Sequence, residues 1–384
     1  MPAYDGWRAR DPGDTVEVDA RYAALPATTR DLMVAHAPRG FVRRTADLDA
    51  ALASGAAELV RTSGTTGPPV TLVWHQAWWD ASEQAGTALH ADLAAVATGR
   101  DPEAVLASAR CVGPGEHDRP LALSERTLGR LLFPNERAEV GGWTDDDVRR
   151  MARELVAFAP AVLEGEPAYL AAFCARAEAL AVELPRPRIV TLSYTAASRL
   201  ERARIERTLR VPVANVHGST ESGTVLVECE RGRLHQNAAS CRIELAPGPR
   251  ADLARLLVTP FGHPLVSYLR FDPGDLVRVA AAACPCGRAG GAIERLEGRE
   301  REVIAGRDGG VVTFAELDDA VAAARGAERI ISYQVEGHVL RATATGPLDT
   351  AALVQALRPL GDFTVERVAA LVPELSGKYA RVRR

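Results

Sequence analysis

Apolar positions change their spacing several times along the chain, and each change predicts an element. From Asp145 to Phe158, Val148, Met151, Leu155 and Val156 fall on one side, the period of an amphipathic helix. Ala161–Glu164 reads as a short strand. Pro167 to Leu184 reads as a helix with proline in its first turn, Arg188–Leu192 as a buried strand, and Ser198 to Leu209 as a helix with Glu/Arg pairs on its wet side. Val211–Val216 follows as another strand. Strand alternating with helix predicts a parallel α/β sheet.

After Gly218 the period shortens. Val225–Cys229, Ser240–Leu245, Arg255–Thr259 and Asp275–Ala280 read as short strands between Gly/Pro turns, a β-rich subdomain. Past Gly298 the pattern is α+β. Thr313 and Glu316 have capping-box spacing ahead of a helix to Ala324. Arg329–Val335 and His338–Thr345 flank a Glu336-Gly337 turn, Asp349 caps a helix to Leu357, and Phe363–Leu371 closes with a strand. Upstream, residues 1–60 are polar with one or two short helices, one starting near Thr29. A helix is expected from Gln76 to Ala95, and Asp101 to Gly142 has no clear period.

Composition narrows the classes. The 384 residues carry 46 basic and 50 acidic side chains, too acidic a balance for a general nucleic-acid binder. No apolar run is long enough for a membrane span, and the start has no signal-peptide pattern, so a cytoplasmic protein is expected. Six cysteines without an export signal suggest thiols or metal ligands rather than disulfides. Of the 46 basic residues 45 are arginine; the single lysine is Lys378.

One loop carries chemistry: Thr62-Ser63-Gly64-Thr65-Thr66-Gly67-Pro68-Pro69. Its glycines let backbone N–H groups turn toward an anion and its hydroxyls add donors. It lacks the Gly-Lys-Ser/Thr ending of a Walker loop. Read alone it fits an anion loop or a polar surface turn.

The order Ser-Gly-Thr-Thr-Gly resembles the phosphate loop of the adenylate-forming superfamily. Leu25-Pro26-Ala27-Thr28-Thr29-Arg30-Asp31-Leu32, some 35 residues upstream, resembles its phenylacetate-CoA ligase-like branch. Val216-His217-Gly218-Ser219-Thr220-Glu221 is similar to the family's aromatic-Gly-x-Thr-Glu, with His217 in the aromatic place. Arg270-Phe271-Asp272-Pro273-Gly274-Asp275 and Gly298-Arg299 resemble the ribose-binding Gly-Asp and the Gly-Arg before the hinge. Leu375-Ser376-Gly377-Lys378 resembles the terminal Ser-Gly-Lys. The chain departs from the family at Ala238-Ala239 and Arg301, acidic in the family, and at Ser193-Tyr194-Thr195-Ala196-Ala197, where the family writes Gly-Gly/Ala-Glu-Pro.

The resemblance implies a fold: a large N-terminal adenylate-forming domain (1–299), with a parallel α/β sheet and a β-rich subdomain, and a small, mobile, ferredoxin-like C-terminal domain (300–384). It also implies roles. Ser63, Gly64, Thr65, Thr66 and Gly67 would cradle ATP phosphates, with His217, Gly218 and Ser219 beside the nucleotide. Thr220 would contact phosphate, Glu221 would hold Mg²⁺, Asp275 and Arg299 would bind ribose, and Tyr194 would stack on adenine. Lys378 would bridge the α-phosphate and the attacking carboxylate, a task for a slim mobile ammonium rather than a planar guanidinium.

Cys229, His235, Cys284 and Cys286 occur at places where some members of the branch bind zinc, and such a donor set suits structural Zn²⁺. Cys241 is an alternative ligand; Cys111 and Cys174 are expected in the core. The implied reaction is ATP-dependent adenylation of a carboxylic acid, aryl or arylacetic by resemblance, then transfer to a thiol of CoA or a carrier protein's phosphopantetheine. An amine acceptor and a catalytically degenerate binding module are the alternatives. The acid pocket is expected between Asp101 and Ser222, with Trp74, Trp78 and Trp79 as candidate borders. A carrier protein and a second copy of the chain are candidate partners; nucleic acid and membrane are not.

Overall fold

The computed structural model describes residues 1–62, 69–96, 99–288 and 292–383. Four short parallel strands form its centre: Glu103–Leu106, Val162–Gly165, Ile189–Leu192 and Val213–Ser219. Ile189 to Leu192 are all buried, as a strand covered on both faces requires. At Val213–Ser219 the direction reverses, and Gly223–Glu228 pairs antiparallel with it. The sheet then continues through Leu234–Gln236, Ala292–Arg299, Asp275–Val279, Ala254–Pro260 and Cys241–Pro247; with Leu131–Leu132 and Thr127–Leu128 beyond Glu103–Leu106 at the other edge, it has twelve strands among the described residues.

Helices fall where the period put them. Asp145–Phe158 starts on a Thr144/Asp147 capping box, with three aspartates in the first turn complementing the helix dipole. Its apolar face (Val148, Met151, Ala152 and Leu155) is buried. Pro167–Ala179 is buried almost all round, because the helices Asp145–Phe158 and Arg199–Leu209 and the strand Ile330–Glu336 pack on it and it shares a core with Leu106, Leu163, Val190 and Leu192 of the sheet. The helix expected from Gln76 to Ala95 is two, Gln76–Thr87 and Ala91–Ala94. The buried His90 takes an extended conformation between them and caps the second through Nδ1, 3.2 Å from Asp92 N. The unread region contributes the strand Glu103–Leu106.

The C-terminal part has its own core, including Phe314, Leu317, Val321, Tyr333, Leu340, Leu353 and Leu357. Its four-stranded mixed sheet (Thr364–Arg367, Val339–Ala344, Ile330–Glu336, Val382–Arg383) carries the helices Phe314–Ala323 and Thr350–Leu357. The large unit adjoins it closely: Thr313 Oγ1 donates to the buried Glu297 at 2.6 Å, and Leu371 and Tyr379 join the core of the parallel sheet. Among the described residues no helix is long and apolar enough to cross a membrane.

Candidate functional site

In an open parallel sheet, loops at the carboxyl ends of the strands converge on one edge. Ser108 and Cys111 follow Glu103–Leu106, Glu166 follows Val162–Gly165, Ser193 and Tyr194 follow Ile189–Leu192, and Thr220 and Glu221 follow Val213–Ser219. The segment Ser376–Tyr379 docks on that edge. Tyr379 N donates to Glu166 Oε1 at 2.7 Å, Tyr169 Oη to Gly377 O at 3.0 Å, and Val140 N to Tyr379 Oη at 3.0 Å. Gly377 has φ +82°, and a Cβ there would meet Ser108 Oγ at 1.8 Å and Ala138 O at 2.7 Å. Glycine is thus required twice, for its conformation and for the close approach.

This docking brings Lys378 over the sheet edge. Its ammonium lies 5.5 Å from the Tyr194 ring centroid and close enough to Cys111 to favour its thiolate, although burial outweighs this and raises the thiol pKa. Cys111 is therefore a site-facing residue and not the core residue expected; Cys174 is fully buried as expected. Tyr194 has φ +69°, a strained conformation for a side chain of its size. Its hydroxyl is close enough to Glu164 to interact with the carboxylate, which accepts from Ser193 Oγ at 2.7 Å.

Glu164 and Glu103 share one face of the sheet, since Val162 pairs with Glu103 and Val105 with Glu164. Glu103 is neutralised by Arg130. Glu83, on Gln76–Thr87, faces the same carboxylates and forms no hydrogen bond or ion pair among the described residues. Burial, then Glu164, Glu103 and Asp80, push its carboxyl up to about 8. Glu83, Cys111, Glu164, Tyr194 and Lys378 all keep some accessible surface although packed among protein groups, as cavity-lining residues do. Glu83, Glu164 and Cys111 escape sequence reading because they lie far apart in the chain and in no motif. The three tryptophans do not join this group: Trp78 donates to Phe261 O at 2.7 Å and packs on His263, while Trp74 packs on Trp79.

A cleft of about 380 Å³ borders Glu221, lined also by Thr29, Arg30, Arg299 and Arg301. Backbone pairing assembles it from distant motifs: Thr28 N donates to Arg270 O at 3.0 Å and Asp272 N to Thr28 O at 3.0 Å. Asp275 is buried and clamped from both sides, by His217 Nε2 at 2.9 Å and Arg299 Nε at 3.3 Å. Burial would raise its pKa, but the His217 and Arg299 interactions outweigh it and hold the carboxyl below the usual range. The departure at His217 thus supplies a partner for the carboxylate. Gly218 leaves no room for a side chain, since a Cβ would stand 2.1 Å from Gly223 O. The expected phosphate-loop residues Ser63, Gly64, Thr65, Thr66 and Gly67 lie outside the described residues. The hairpin flanking them, Glu58–Arg61 with Thr71–Trp74, is closed at its mouth by Thr62 N to Val70 O at 2.9 Å.

Elsewhere, Cys229, His235, Cys284 and Cys286 bring their ligand atoms within 4.8 Å of one another, an arrangement that can hold a metal ion. Cys229 and Cys284 sulfurs are 3.7 Å apart, and Cys286 Sγ lies 3.3 Å from His235 Nε2. Both spacings match edges of a tetrahedron with bonds of about 2.0–2.3 Å. Burial, then Arg288, keeps His235 below its ordinary pKa and hence neutral. Partial burial raises the Cys286 thiol, but hydrogen bonds from Arg288 and the neighbouring thiols bring it down to about 7. Cys241 is excluded as an alternative ligand: it is fully buried, with its thiol against Asn237 O at 3.6 Å.

No protein-family model matches the sequence, and no curated protein matches it either. Solved structures do. A 2-hydroxyisobutyryl-CoA ligase in its postadenylation state, in complex with 2-HIB-AMP, superposes with TM-score 0.68 at 16% identity, over 99% of this chain and 86% of that one. The same ligase in its thioesterification state, with 2-HIB-AMP and CoA, gives 0.53 at 17% identity over the same shares. The amide bond synthetase McbA from Marinactinospora thermotolerans gives 0.54 at 12% identity, over 84% of this chain and 67% of that one. The fold is that of the adenylate-forming ligases.

Proposed function

We propose that this chain activates a carboxylic acid with ATP and passes the acyl group to an acceptor. The acid's carboxylate attacks the α-phosphorus, the bond to the β-phosphate breaks, and pyrophosphate leaves. The acceptor then attacks the carbonyl carbon, loses its proton, and AMP leaves. The observation that carries this reading is the docking of Lys378 at the carboxyl edge of the parallel sheet, against Tyr194 and Cys111. There its ammonium can offset charge shared between carboxylate and phosphate.

Glu221 lies in a cleft that mixes the carboxylates of Asp31, Asp272 and Glu300 with the guanidinium groups of Arg30, Arg299 and Arg301, a lining that suits a cation held against polyphosphate. Thr220 and Glu221 would hold Mg²⁺ there, which supplies charge neutralisation to the leaving pyrophosphate. Asp275 and Arg299 would meet the ribose, and Ser63 to Gly67 the phosphates. The four-residue Cys/His cluster would hold structural Zn²⁺.

The chain divides, in this reading, into 1–299 and a mobile 300–384 that carries Lys378. The better superposition on the postadenylation form supports an adenylating arrangement of the two parts. A thiol acceptor, of CoA or a carrier protein, calls for rotation of the small part away from this position; an amine is the alternative acceptor.

The acid is aryl or arylacetic by resemblance. Glu83 and Glu164, partly accessible carboxyl groups that feel one another's charge, favour one that also bears a cationic group such as an amine. Pyrophosphate exchange across aryl, arylacetic, small aliphatic and amino acids, with and without CoA, tests the reading. Exchange with none of them would contradict it.

A further inference from the structure

We propose that the ion pair of Arg381 with Glu201 is a latch that holds Lys378 in its adenylating position, which makes Glu201 a positioning residue for the first half-reaction. The proposal rests on the function proposed above and adds a residue from outside its motifs.

Glu201 stands in the first turn of the helix Arg199–Leu209 and completes a capping box: Ser198 N donates to Oε2 at 2.9 Å, and Glu201 N to Ser198 Oγ at 3.2 Å. A capping glutamate commonly keeps its far side in water. Here the side chain is wholly buried, and Arg381, 2% exposed, binds it in bidentate fashion at 2.7 Å on each oxygen. Ser332 Oγ donates to the same carboxylate at 2.5 Å. Glu201 belongs to the large unit, while Arg381 and Ser332 belong to the C-terminal part. A buried bidentate pair is directional, and either charge left alone in that environment is strongly disfavoured. The two parts therefore have one low-energy register at this contact.

Arg381 lies three residues beyond Lys378, and the chain between them is pinned as well. Tyr379 N is held by Glu166, and Ala380 O accepts from Gln334 Nε2 at 2.9 Å. Arg381 Nε also donates to Ala196 O at 2.6 Å, in the loop that carries Tyr194. One guanidinium thus ties the lysine's segment to the aromatic ring the lysine faces. Lysine has a flexible stem, so its placement depends on where its backbone is anchored. Any rotation of the C-terminal part must withdraw Arg381 from Glu201, so the pair weights the adenylating orientation against the alternative.

Glu201→Gln in the full chain tests this, because glutamine can keep the capping box through its one oxygen while removing the charge and the second acceptor that complete the bidentate pair. Two readouts are needed. Hydrogen exchange on the free protein is expected to show lost protection across 377–383 with unchanged protection in Pro167–Ala179 and Arg199–Leu209. With the best acid found for the unmutated protein, pyrophosphate exchange is expected to fall about 30-fold. Discharge of the preformed acyl-adenylate to its acceptor is expected to fall less than about two-fold, since that step does not need the latch. Unchanged protection across 377–383 overturns the latch whether or not any acid is activated. An equal fall in both half-reactions also overturns it, because loss of the fold alone would do that. If the unmutated protein activates no acid, the proposed function fails, and hydrogen exchange alone decides the latch.

Discussion

The Lys378 ammonium stands 5.5 Å from the centre of the Tyr194 ring, and the Tyr194 hydroxyl is close enough to Glu164 to interact with its carboxylate. The ring therefore meets a cation at its face and a carboxylate at its hydroxyl end. Tyr194→Phe keeps the ring and removes the hydroxyl, a hydrogen-bonding group beside the partly accessible Glu164. Loss of such a bond costs about 1–2 kcal/mol, so KM for the acid is expected to rise about five- to thirty-fold with KM for ATP unchanged. A rise in KM for ATP alone would instead assign Tyr194 to the adenine, the role its family resemblance implies.

Gly377 is the tightest point of the docked segment. Gly377→Ala forces a side chain onto Ser108 at a backbone angle that disfavours it. Pyrophosphate exchange is expected to fall by at least about 30-fold and the melting temperature to drop, while circular dichroism keeps the secondary structure of the parent. A variant with full exchange would place Lys378 by some other contact.

The zinc site proposed at Cys229, His235, Cys284 and Cys286 has a simple stoichiometric consequence. Elemental analysis of the purified protein is expected to find about one zinc per chain. Cys284→Ser should lose it together with several degrees of thermal stability, whereas Cys241→Ser should retain it. Loss of metal from the Cys241 variant would reopen the ligand assignment.

Glu83 gives a pH signature whose sign follows from its raised pKa. Between its ordinary value of 4.5 and about 8 the folded chain binds a proton that the unfolded chain has released. Unfolding free energy contributed by this group therefore falls as pH rises through that window. Glu83→Gln removes the dependence. Melting curves of the two proteins should nearly coincide at pH 5, and the variant should be the more stable at pH 8. A gap that stays constant with pH would show that Glu83 ionises freely.

Local signals explain what was legible in advance. The helices starting at Asp145, Arg199 and Phe314 each follow a capping box, an interaction within four residues that sequence spacing displays directly. The strands Leu234–Gln236 and Ala292–Arg299 have no such signal. The first is three residues long, and the second is held in the sheet by partners far away in the chain. Of the site, Lys378 stood out as the one lysine among arginines, and Asp275 and Glu221 through their motifs. Glu83, Glu164 and the Arg381–Glu201 pair become visible only when the sheet edge and the C-terminal segment are brought together. The period of a helix says which face is buried, not which distant charge will meet it.

Pyrophosphate exchange by Lys378→Ala is the most direct test of the account. With an acid that supports exchange by the parent protein, the variant is expected to lose at least about a thousand-fold, in line with removal of a preorganised charge at a reacting phosphate. Lys378→Arg should not rescue it, since the planar guanidinium has a different shape and reach. Exchange by Lys378→Ala at the rate of the parent would contradict the assignment of Lys378 to the adenylation step.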